Sequence, residues 1–396
     1  MERHRGGEPV TPEGRDRVIM AGSLLMLLAL SLLPFLIIRE TRISPPHGVS
    51  VFTALRITPL AVIAGLVGAS FVSSGLRNRH SRTIASASIS RALILVILWQ
   101  AGASAASMSG PDLPFARISP GSGAWLSLLG AFMVMSSCRS AARREKLFTI
   151  FCLGFYAALV MLVASGGLND LSFMVEFFNR SGRFRQELLR HVTLALSAVS
   201  IGLLLGFPLG LTAFRRKRLR TAILSTANTL QTIPSLALFG LLIAPLAWAA
   251  RSFQPLASLG IGGIGWAPAL IALVVYSLLP VIKNTISGFS IIDPSIIDSG
   301  LGMGMSRKQL FFRVELPLAM PVIMTGVRIS GVQAIGNTAV AALIGAGGLG
   351  QFIFQGLGEA APDLILLGAL PTVILALTAD GILKKAAEIM EPGGGR

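Results

Sequence analysis

Residues 298–317 read DSGLGMGMSRKQLFFRVELP, and this stretch contains several strong local signals for helix starts and ends. Just before it, Pro294 can begin a helix, because its fixed φ suits the first helical turn. Gly304 can end that helix in the left-handed conformation, where a residue without Cβ meets no steric penalty. Ser306 stands three residues before Gln309, which is the spacing of a capping box at the start of a new helix. The sequence therefore predicts two short helices set at an angle.

Each of the two predicted helices has one hydrophobic face. The apolar residues are Ile296, Ile297, Leu301 and Met305 in the first helix, and Leu310, Phe311 and Val314 in the second. Residues that recur at such spacings lie on one side of a helix. We expect Pro317 to end the second helix before Pro321 opens the next apolar segment, because proline interrupts the helical hydrogen-bond ladder. An ordinary amphipathic loop packed on a membrane has the same pattern, so the periodicity alone leaves both interpretations open.

The composition of the whole chain identifies its class. Of its 396 residues, 53% are hydrophobic and only 13% are charged, and the mean hydropathy is +0.73. A soluble globular protein carries about 25% charged residues. Most of this chain's surface therefore cannot face water, and the class is a polytopic helical membrane protein. Two cysteines, Cys138 and Cys152, are too few for a disulfide framework or a cysteine-cluster metal site.

Ten segments are apolar enough to be predicted as membrane spans, each needing about 20 residues. They are 18–38, 57–74, 92–108, 123–138, 147–165, 192–214, 222–248, 267–282, 322–340 and 364–383. With a cytoplasmic N-terminus, 24 of the 34 Lys and Arg residues fall in the predicted inside segments. Because positive residues gather on cytoplasmic loops, both termini are predicted to be cytoplasmic. The net charge of +16 thus reads as a topology signal; no basic stripe alternates with aromatic residues as in nucleic-acid binding proteins.

The distribution of motifs divides the chain into two predicted domains. Residues 1–170 hold five spans with few features beyond hydrophobicity, and we predict that they form an N-terminal membrane extension. Residues 171–396 hold nearly all of the distinctive motifs, including the segment at about 283–321 between the eighth and ninth predicted spans.

The stretch at 298–317 resembles the coupling loop of ABC importer permeases, whose signature reads Glu-Ala-Ala, three residues, Gly, nine residues, Ile-x-Leu-Pro. The spacing here matches that signature throughout, although the first triplet departs from it at all three positions. The resemblance implies a coupling site made of Asp298, Ser299, Gly300, Gly302, Gly304, Val314, Leu316 and Pro317. Glycine in the place of the second alanine should weaken the first helix by about 1 kcal/mol.

Further motifs resemble the osmoprotectant branch of these permeases, which serves glycine betaine, carnitine and choline uptake. They are residues 231–238 (QTIPSLAL), 302–305 (GMGM), 314–321 (VELPLAMP) and 344–350 (IGAGGLG). The match covers roughly residues 185–385, and residues 1–170 resemble the N-terminal extension of a subset of the branch. The implied fold is an all-α bundle of about ten spans, with a type I ABC importer permease core and an N-terminal multi-span extension.

The resemblance also implies partners and a location. A second permease subunit, identical or different, would complete the pore in the lipid of the cytoplasmic (inner) membrane. An extracytoplasmic solute-binding protein would deliver the solute, and two cytoplasmic ABC ATPase subunits would bind ATP and Mg, so that this chain needs no cofactor of its own. The branch points to a quaternary-ammonium compatible solute. Another solute, such as an amino acid or a sulfonate, and a secondary transporter remain the alternatives.

Polar and charged residues inside predicted spans are candidates for the transport path. Pro234 breaks the seventh span and removes a backbone hydrogen bond there. The candidate pore-lining residues are Gln231, Thr232, Pro234 and Ser235 near that break, and Asn337 and Thr338 in the ninth span. A simple packing kink is the alternative explanation.

Arg328 and Asp380 lie in the ninth and tenth spans, and we hypothesise that they form an ion pair, with snorkelling to the interface as the alternative.

The sequence contains no pattern typical of a catalytic site. No acid, base and nucleophile cluster together, so the chain is predicted not to be an enzyme and to have no catalytic residues. The four histidines lack metal-ligand spacing, and no metal site is predicted. The glycines at 345, 347 and 350 match a dinucleotide-binding pattern, but that pattern has meaning only between a strand and a helix.

Overall fold

The computed structural model describes residues 16–42, 44–76, 78–110, 115–137 and 146–391. Cys138 and three stretches used in the orientation count, 1–15, 139–145 and 392–396, lie outside these residues. The chain forms two compact units, residues 1–178 and residues 179–396. The prediction that residues 1–170 are a membrane extension and residues 171–396 a permease core is a statement about roles and remains a prediction.

The first unit is built from apolar helices and one small sheet. Its helices are α1 (Arg17–Leu32), α2 (Val51–Ala54), α3 (Ile57–Ser73), α4 (Arg79–Met108), α5 (Ser122–Ser137), α6 (Lys146–Ala164) and α7 (Ser172–Asn179), and its strands are β1 (Leu36–Arg39), β2 (His47–Val49) and β3 (Arg117–Pro120). Serine hydroxyls join three of the helices in their buried interior. Ser23 on α1 lies 2.8 Å from Ser70 on α3, and Ser73 on α3 lies 2.7 Å from Ser86 on α4. Small polar residues of this kind let apolar helices approach closely and bond to each other.

The three-stranded sheet corrects the prediction of a single span over residues 18–38. Helix α1 ends at Leu32, and the following residues Leu36–Arg39 form the central strand of an antiparallel sheet with the order β2-β1-β3. Pro34 explains the end of the helix, because the residue before a proline is pushed out of the helical region. Leu33 accordingly has extended backbone angles. The apolar run then continues as a strand, with Leu36 opposite both Val49 and Pro120.

The second unit is a helical bundle. Its elements are α8 (Ser181–Arg215), α9 (Lys217–Thr232), α10 (Ser235–Ser252), α11 (Gln254–Ser258), α12 (Trp266–Ser290), α13 (Pro294–Gly302), α14 (Arg307–Leu310), a π-helix (Phe311–Glu315), α15 (Leu316–Ala341), a 3₁₀-helix (Ala342–Ile344), α16 (Gly350–Gly358) and α17 (Pro362–Ile389). Most of these helices run past the predicted spans. Helix α8, for example, begins at Ser181, whereas the sequence predicts a span that begins at residue 192.

A glycine seam on α8 brings the backbone of that helix close to side chains of α12. The facing pairs are Gly202 with Ser277, Gly206 with Val281, and Gly210 with Thr285. A Cβ atom at Gly202 would lie 2.6 Å from the Cβ of Ser277, and one at Gly206 would lie 3.0 Å from the Cβ of Val281. Residues four apart lie on the same helix face, so the spacing of these glycines gives α8 one flat surface along two turns.

Span length can be checked against the helices. Within the described part of the chain, six helices are long and apolar enough to cross a membrane: His80–Met108, Ser181–Arg215, Ser235–Ser252, Trp266–Ser290, Arg307–Ile344 and Pro362–Ile389. Four shorter apolar helices, Arg17–Leu32, Ile57–Ser73, Ser122–Ser137 and Phe151–Ala164, account for further predicted spans. A polytopic helical membrane protein is therefore confirmed, and the count of ten spans stays a prediction.

Candidate functional site

The first helix of the predicted coupling segment, α13, is capped as its sequence requires. Asp293 is the N-cap residue and Pro294 occupies the first turn. The backbone N–H of Ser295 donates to Asp293 Oδ1 at 2.8 Å, which lowers the pKa of that carboxyl below its usual value. The helix ends at Gly302, and Gly304 follows with φ +81°, a conformation that favours glycine. The chain thus turns sharply between α13 and α14.

The second helix of the segment differs from the prediction at its end. Its start is as predicted, because Ser306 and Gln309 form both hydrogen bonds of a capping box. Pro317, however, does not stop it: α14 continues through the π-helix Phe311–Glu315 directly into α15. In a regular α-helix the Pro317 ring would clash with the carbonyl of the residue four positions earlier, Arg313, which here lies in the π-helix. Local π turns can absorb a proline in this way inside a long helix.

The predicted coupling residues divide into an exposed group and an inner group. Asp298, Ser299, Gly302, Gly304 and Pro317 are exposed, Val314 and Leu316 are half-buried, and Gly300 is buried. Gly300 faces α14, where a Cβ atom would lie 2.6 Å from Leu310 Cδ1. Glycine in the place of the usual alanine therefore lets Leu310 pack against α13, which offsets part of its weaker helix propensity.

Several apolar side chains on this segment remain largely exposed in the part of the chain that the structure describes. Leu301 is 45% exposed, Met303 is 72% exposed and Phe312 is 63% exposed. Beside them runs an open groove of about 580 Å³, lined by apolar residues and by the charged residues Arg215, Arg307, Lys308 and Glu315. A small helix that exposes apolar residues next to a mainly basic groove is suited to a helix-in-groove contact with another protein.

The break at Pro234 is held by a residue that the sequence analysis did not single out. Gln231 Nε2 donates to the carbonyl oxygen of Tyr276 at 2.8 Å. The Tyr276 hydroxyl donates at 2.5 Å to the carbonyl oxygen of Ile233, which α9 leaves unsatisfied at its end. Two hydrogen bonds thus fasten the interrupted helix to α12. Tyr276 carries no local signal, since its partner lies 43 residues away along the chain.

The other candidate pore residues have different surroundings. Thr232 is exposed, and its hydroxyl donates to the Thr229 carbonyl at 2.7 Å. Ser235 and Asn337 are half-buried. Thr338 is fully buried, and its hydroxyl donates to the Ala334 carbonyl. The structure therefore brings Gln231, Thr232, Pro234 and Ser235 together at the break, and their role in a pore remains a prediction.

Arg328 and Asp380 lie side by side on α15 and α17. The Arg328 Nε atom donates to Asp380 Oδ1 at 2.5 Å, and a terminal guanidinium nitrogen donates to Oδ2 at 2.8 Å. A bidentate pair of this type fixes both the distance and the relative rotation of two helices. Its importance for folding and transport is the part of the hypothesis that still needs a test.

We expect Asp380→Asn to lower the stability of the purified chain by about 1–2 kcal/mol, because it removes one charge from a hydrogen-bonded pair that is about one-third exposed. Thermal unfolding in detergent measures the change. Glu391→Gln is the control, since Glu391 is an exposed carboxylate just after α17. Equal unfolding temperatures for the two variants would show that the Arg328 pair is unimportant.

His191 is a second residue that sequence reasoning missed, because an isolated histidine in an apolar helix has no distinguishing pattern. It is fully buried, and its Nε2 lies 3.0 Å from the carbonyl oxygen of Ile335. A carbonyl only accepts, so Nε2 carries the hydrogen and Nδ1 is free to accept from the N–H of Leu349 at 3.2 Å. Nearby, Glu187 accepts from the N–H of Gly348 at 2.6 Å. The neutral imidazole on α8 thus binds both α15, at Ile335, and the residue just before α16, Leu349.

The segment that His191 and Glu187 hold is the glycine turn formed by residues 345–349. Gly345, Gly347 and Gly348 have φ values of +75°, +80° and +90°. Such values are open to glycine at no steric cost. The glycine pattern at 345–350 therefore builds a tight turn between α15 and α16.

A bundle of long apolar helices with an exposed, capped two-helix segment next to a span has the architecture of a membrane permease subunit. Comparison with known proteins defines the class further. Residues 198–387 match the family "Binding-protein-dependent transport system inner membrane component". Residues 15–174 match the family "ABC transporter permease YehY, N-terminal domain".

Curated relatives match the chain over more than half of its length. The carnitine transport permease protein OpuCB of Listeria monocytogenes is 39% identical over 55% of this chain and 94% of its own length. The choline transport system permease protein OpuBB of Bacillus subtilis is 37% identical over 56% and 95%. The osmoprotectant import permease protein OsmW of Salmonella typhimurium is 39% identical over 52% and 90%.

The chain belongs to the binding-protein-dependent transport system inner membrane components, the permease subunits of ABC importers. It is therefore a multi-pass protein of the inner membrane and a transport subunit rather than an enzyme. Membership in this family also implies an ATPase and a solute-binding protein as partners in general terms. The resemblance to the osmoprotectant branch is confirmed.

Proposed function

We propose that this chain forms the pore for uptake of glycine betaine or a related quaternary-ammonium compatible solute. Relatives named for carnitine, choline and osmoprotectant transport support that choice of solute. The cation of such a solute is recognised by aromatic faces, which we place in the solute-binding protein rather than in this chain. The polar groups at the Pro234 break, Gln231, Thr232 and Ser235, are the proposed lining of the path.

The observation that carries the mechanism is the exposed apolar surface of α13 and the π-helix. We place it on the cytoplasmic side, with both termini, and seat it in a groove on an ATPase subunit that binds ATP and Mg. Closure of two such subunits would move the spans as rigid bodies and open the pore on alternate sides. A second permease subunit, identical or different, completes the pore.

We expect Leu301→Asp to abolish this coupling, because it puts a charge into the centre of the proposed apolar contact. Loss of one central anchor weakens an interface by about 2 kcal/mol or more, which is at least tenfold in affinity. Two measurements report the effect in the source organism: uptake of radiolabelled glycine betaine, carnitine and choline, and copurification of the ATPase with the tagged full-length chain.

Leu301→Met is the matched control, since it keeps an apolar side chain of similar volume. It should retain both solute uptake and copurification with the ATPase. If Leu301→Asp transports and retains its ATPase like the control, the segment is not a coupling site. If the wild-type chain imports none of the three solutes but does import another, the mechanism stands and the choice of solute is wrong.

A further inference from the structure

The π-helix Phe311–Glu315 is an irregular feature in the middle of a long helix. It joins α14, which belongs to the proposed coupling segment, to α15, which belongs to the span bundle. Single π turns inside α-helices are rare and are frequently found at functional sites, and each holds one residue more than an α-helical turn. That extra residue sets the rotation of the coupling segment relative to α15 by about 100°.

Three stacked phenylalanine rings connect this π-helix to two spans. The ring of Phe311 lies 5.9 Å from that of Phe289 on α12, with an angle of 10° between the planes. Phe289 in turn stacks on Phe214 on α8, at 5.6 Å and 29°. Phe289 is buried, so the central ring is fixed by its surroundings. Aromatic pairs at such distances attract each other beyond simple area burial.

Arg215, the last residue of α8, adds a charged contact to the same π-helix. Its guanidinium carbon lies 5.0 Å from the centroid of the Phe311 ring, within cation–π range. A terminal guanidinium nitrogen lies 4.0 Å from a carboxylate oxygen of Glu315. Arg215 therefore touches the π-helix at its first and its last residue, and its charge also suits the carboxyl end of α8.

We propose that coupling movement enters the span bundle through a joint made of the Phe311–Glu315 π-helix, the Phe214–Phe289–Phe311 ring column and Arg215. Arg215 and Phe311 are then positioning residues for transport, and the proposal rests on the proposed function. The contacts attach the coupling segment to α8 and α12 as well as to α15. A displacement of α13 and α14 is thereby carried to three helices instead of being lost in bending at the π turn, where helices kink most readily.

The test uses the complete transporter, purified with its ATPase and reconstituted in vesicles with its binding protein. The variants are Arg215→Gln, which removes the cation, and Phe311→Leu, which removes the ring and keeps much of the bulk. Arg218→Gln, at an exposed arginine of the same basic run, is the control. The measured quantity is the ratio of glycine betaine taken up to ATP hydrolysed.

We expect Arg215→Gln and Phe311→Leu to copurify with the ATPase and to hydrolyse ATP within about twofold of wild type. The ratio of uptake to hydrolysis should fall at least fivefold, whereas Arg218→Gln should leave it unchanged. Arg215→Lys and Phe311→Tyr, which keep the cation and the ring, should restore most of the ratio. A purely structural role would lower uptake and hydrolysis together and leave the ratio unchanged.

Two results would contradict the proposed joint without contradicting the proposed function. The first is a wild-type ratio of uptake to ATP hydrolysis in Arg215→Gln. Because the Arg215 side chain is exposed, this variant tests the proposal even if Phe311→Leu fails to assemble. The second is loss of ATPase binding in Arg215→Gln, which would make Arg215 part of the ATPase contact. A wild-type transporter without ATP-dependent uptake would overturn the proposed function itself, and the joint with it.

Discussion

Gly350→Ala is expected to lower the stability of the second unit by about 3 kcal/mol, the upper range for overpacking a filled site. Gly350 is buried at the start of α16, where α16 crosses α15. A Cβ atom there would lie 1.8 Å from the carbonyl oxygen of Ala339 and 2.7 Å from its carbonyl carbon. These are backbone atoms inside a helix, so no side-chain rotation relieves the overlap and one of the two helices has to shift.

Thermal unfolding of the purified chain measures this effect as a fall of roughly 6–12 °C in Tm. Gly336→Ala on α15 is the matched control, because no described residue outside its own helical turn lies within 4 Å of the Cβ position. In the control the added methyl group improves helix propensity by about 1 kcal/mol, so its Tm should be unchanged or slightly higher. The same Tm for both variants would show that the close crossing of α15 and α16 is not present in solution.

Glu176→Gln is expected to destabilise the first unit by about 3–5 kcal/mol, the cost of breaking a buried ion pair by removing one charge. Glu176 lies on α7 and is only 2% exposed. Its carboxylate binds Arg42, which follows β1, and Arg117 on β3, with one guanidinium nitrogen at 2.9 Å. One carboxylate thus joins the small sheet to α7. Without its charge, two arginines remain close together with no counter-charge from Glu176.

Fluorescence of Trp99 and Trp125 can report on the first unit when the other two tryptophans are replaced by phenylalanine. The expected fall in Tm is roughly 10 °C. Glu40→Gln provides the control, since Glu40 is an exposed carboxylate in the turn after β1 and its loss should change the stability by no more than about 0.5 kcal/mol. An unfolding curve for Glu176→Gln that overlays the control would disprove a structural role for the buried pair.

Local signals made the start of each helix in the predicted coupling segment predictable from the sequence. The start of α13 at Pro294, the left-handed Gly304 and the capping box at Ser306 each depend on residues within four positions of one another. Interactions of that range can be read from spacing alone. The long apolar helices were predictable for the same reason, although their ends were not, because packing in the bundle extends helices such as α8 beyond their apolar core.

Contacts between distant residues explain what the sequence did not reveal. Strand β1 pairs with β3, about 80 residues later, and a short apolar run looks the same in a strand as in a helix. The π-helix ends two residues before Pro317, and its Phe311 ring stacks on Phe289 of α12; neither feature alone predicts it. His191 and Tyr276 gain their roles only from backbone atoms that lie 144 and 43 residues away.

The glycine seam between α8 and α12 also has an evolutionary consequence. At each of three successive contacts, the side chain on α12 limits the size of the residue that α8 can carry opposite it, as Val281 does at Gly206. A larger residue at position 206 is tolerable only with a smaller one at 281, so the two sites form a single unit of variation. In homologous proteins, substitutions at facing positions of this seam should therefore occur in pairs. A larger residue on one helix without a smaller one opposite should be selected against.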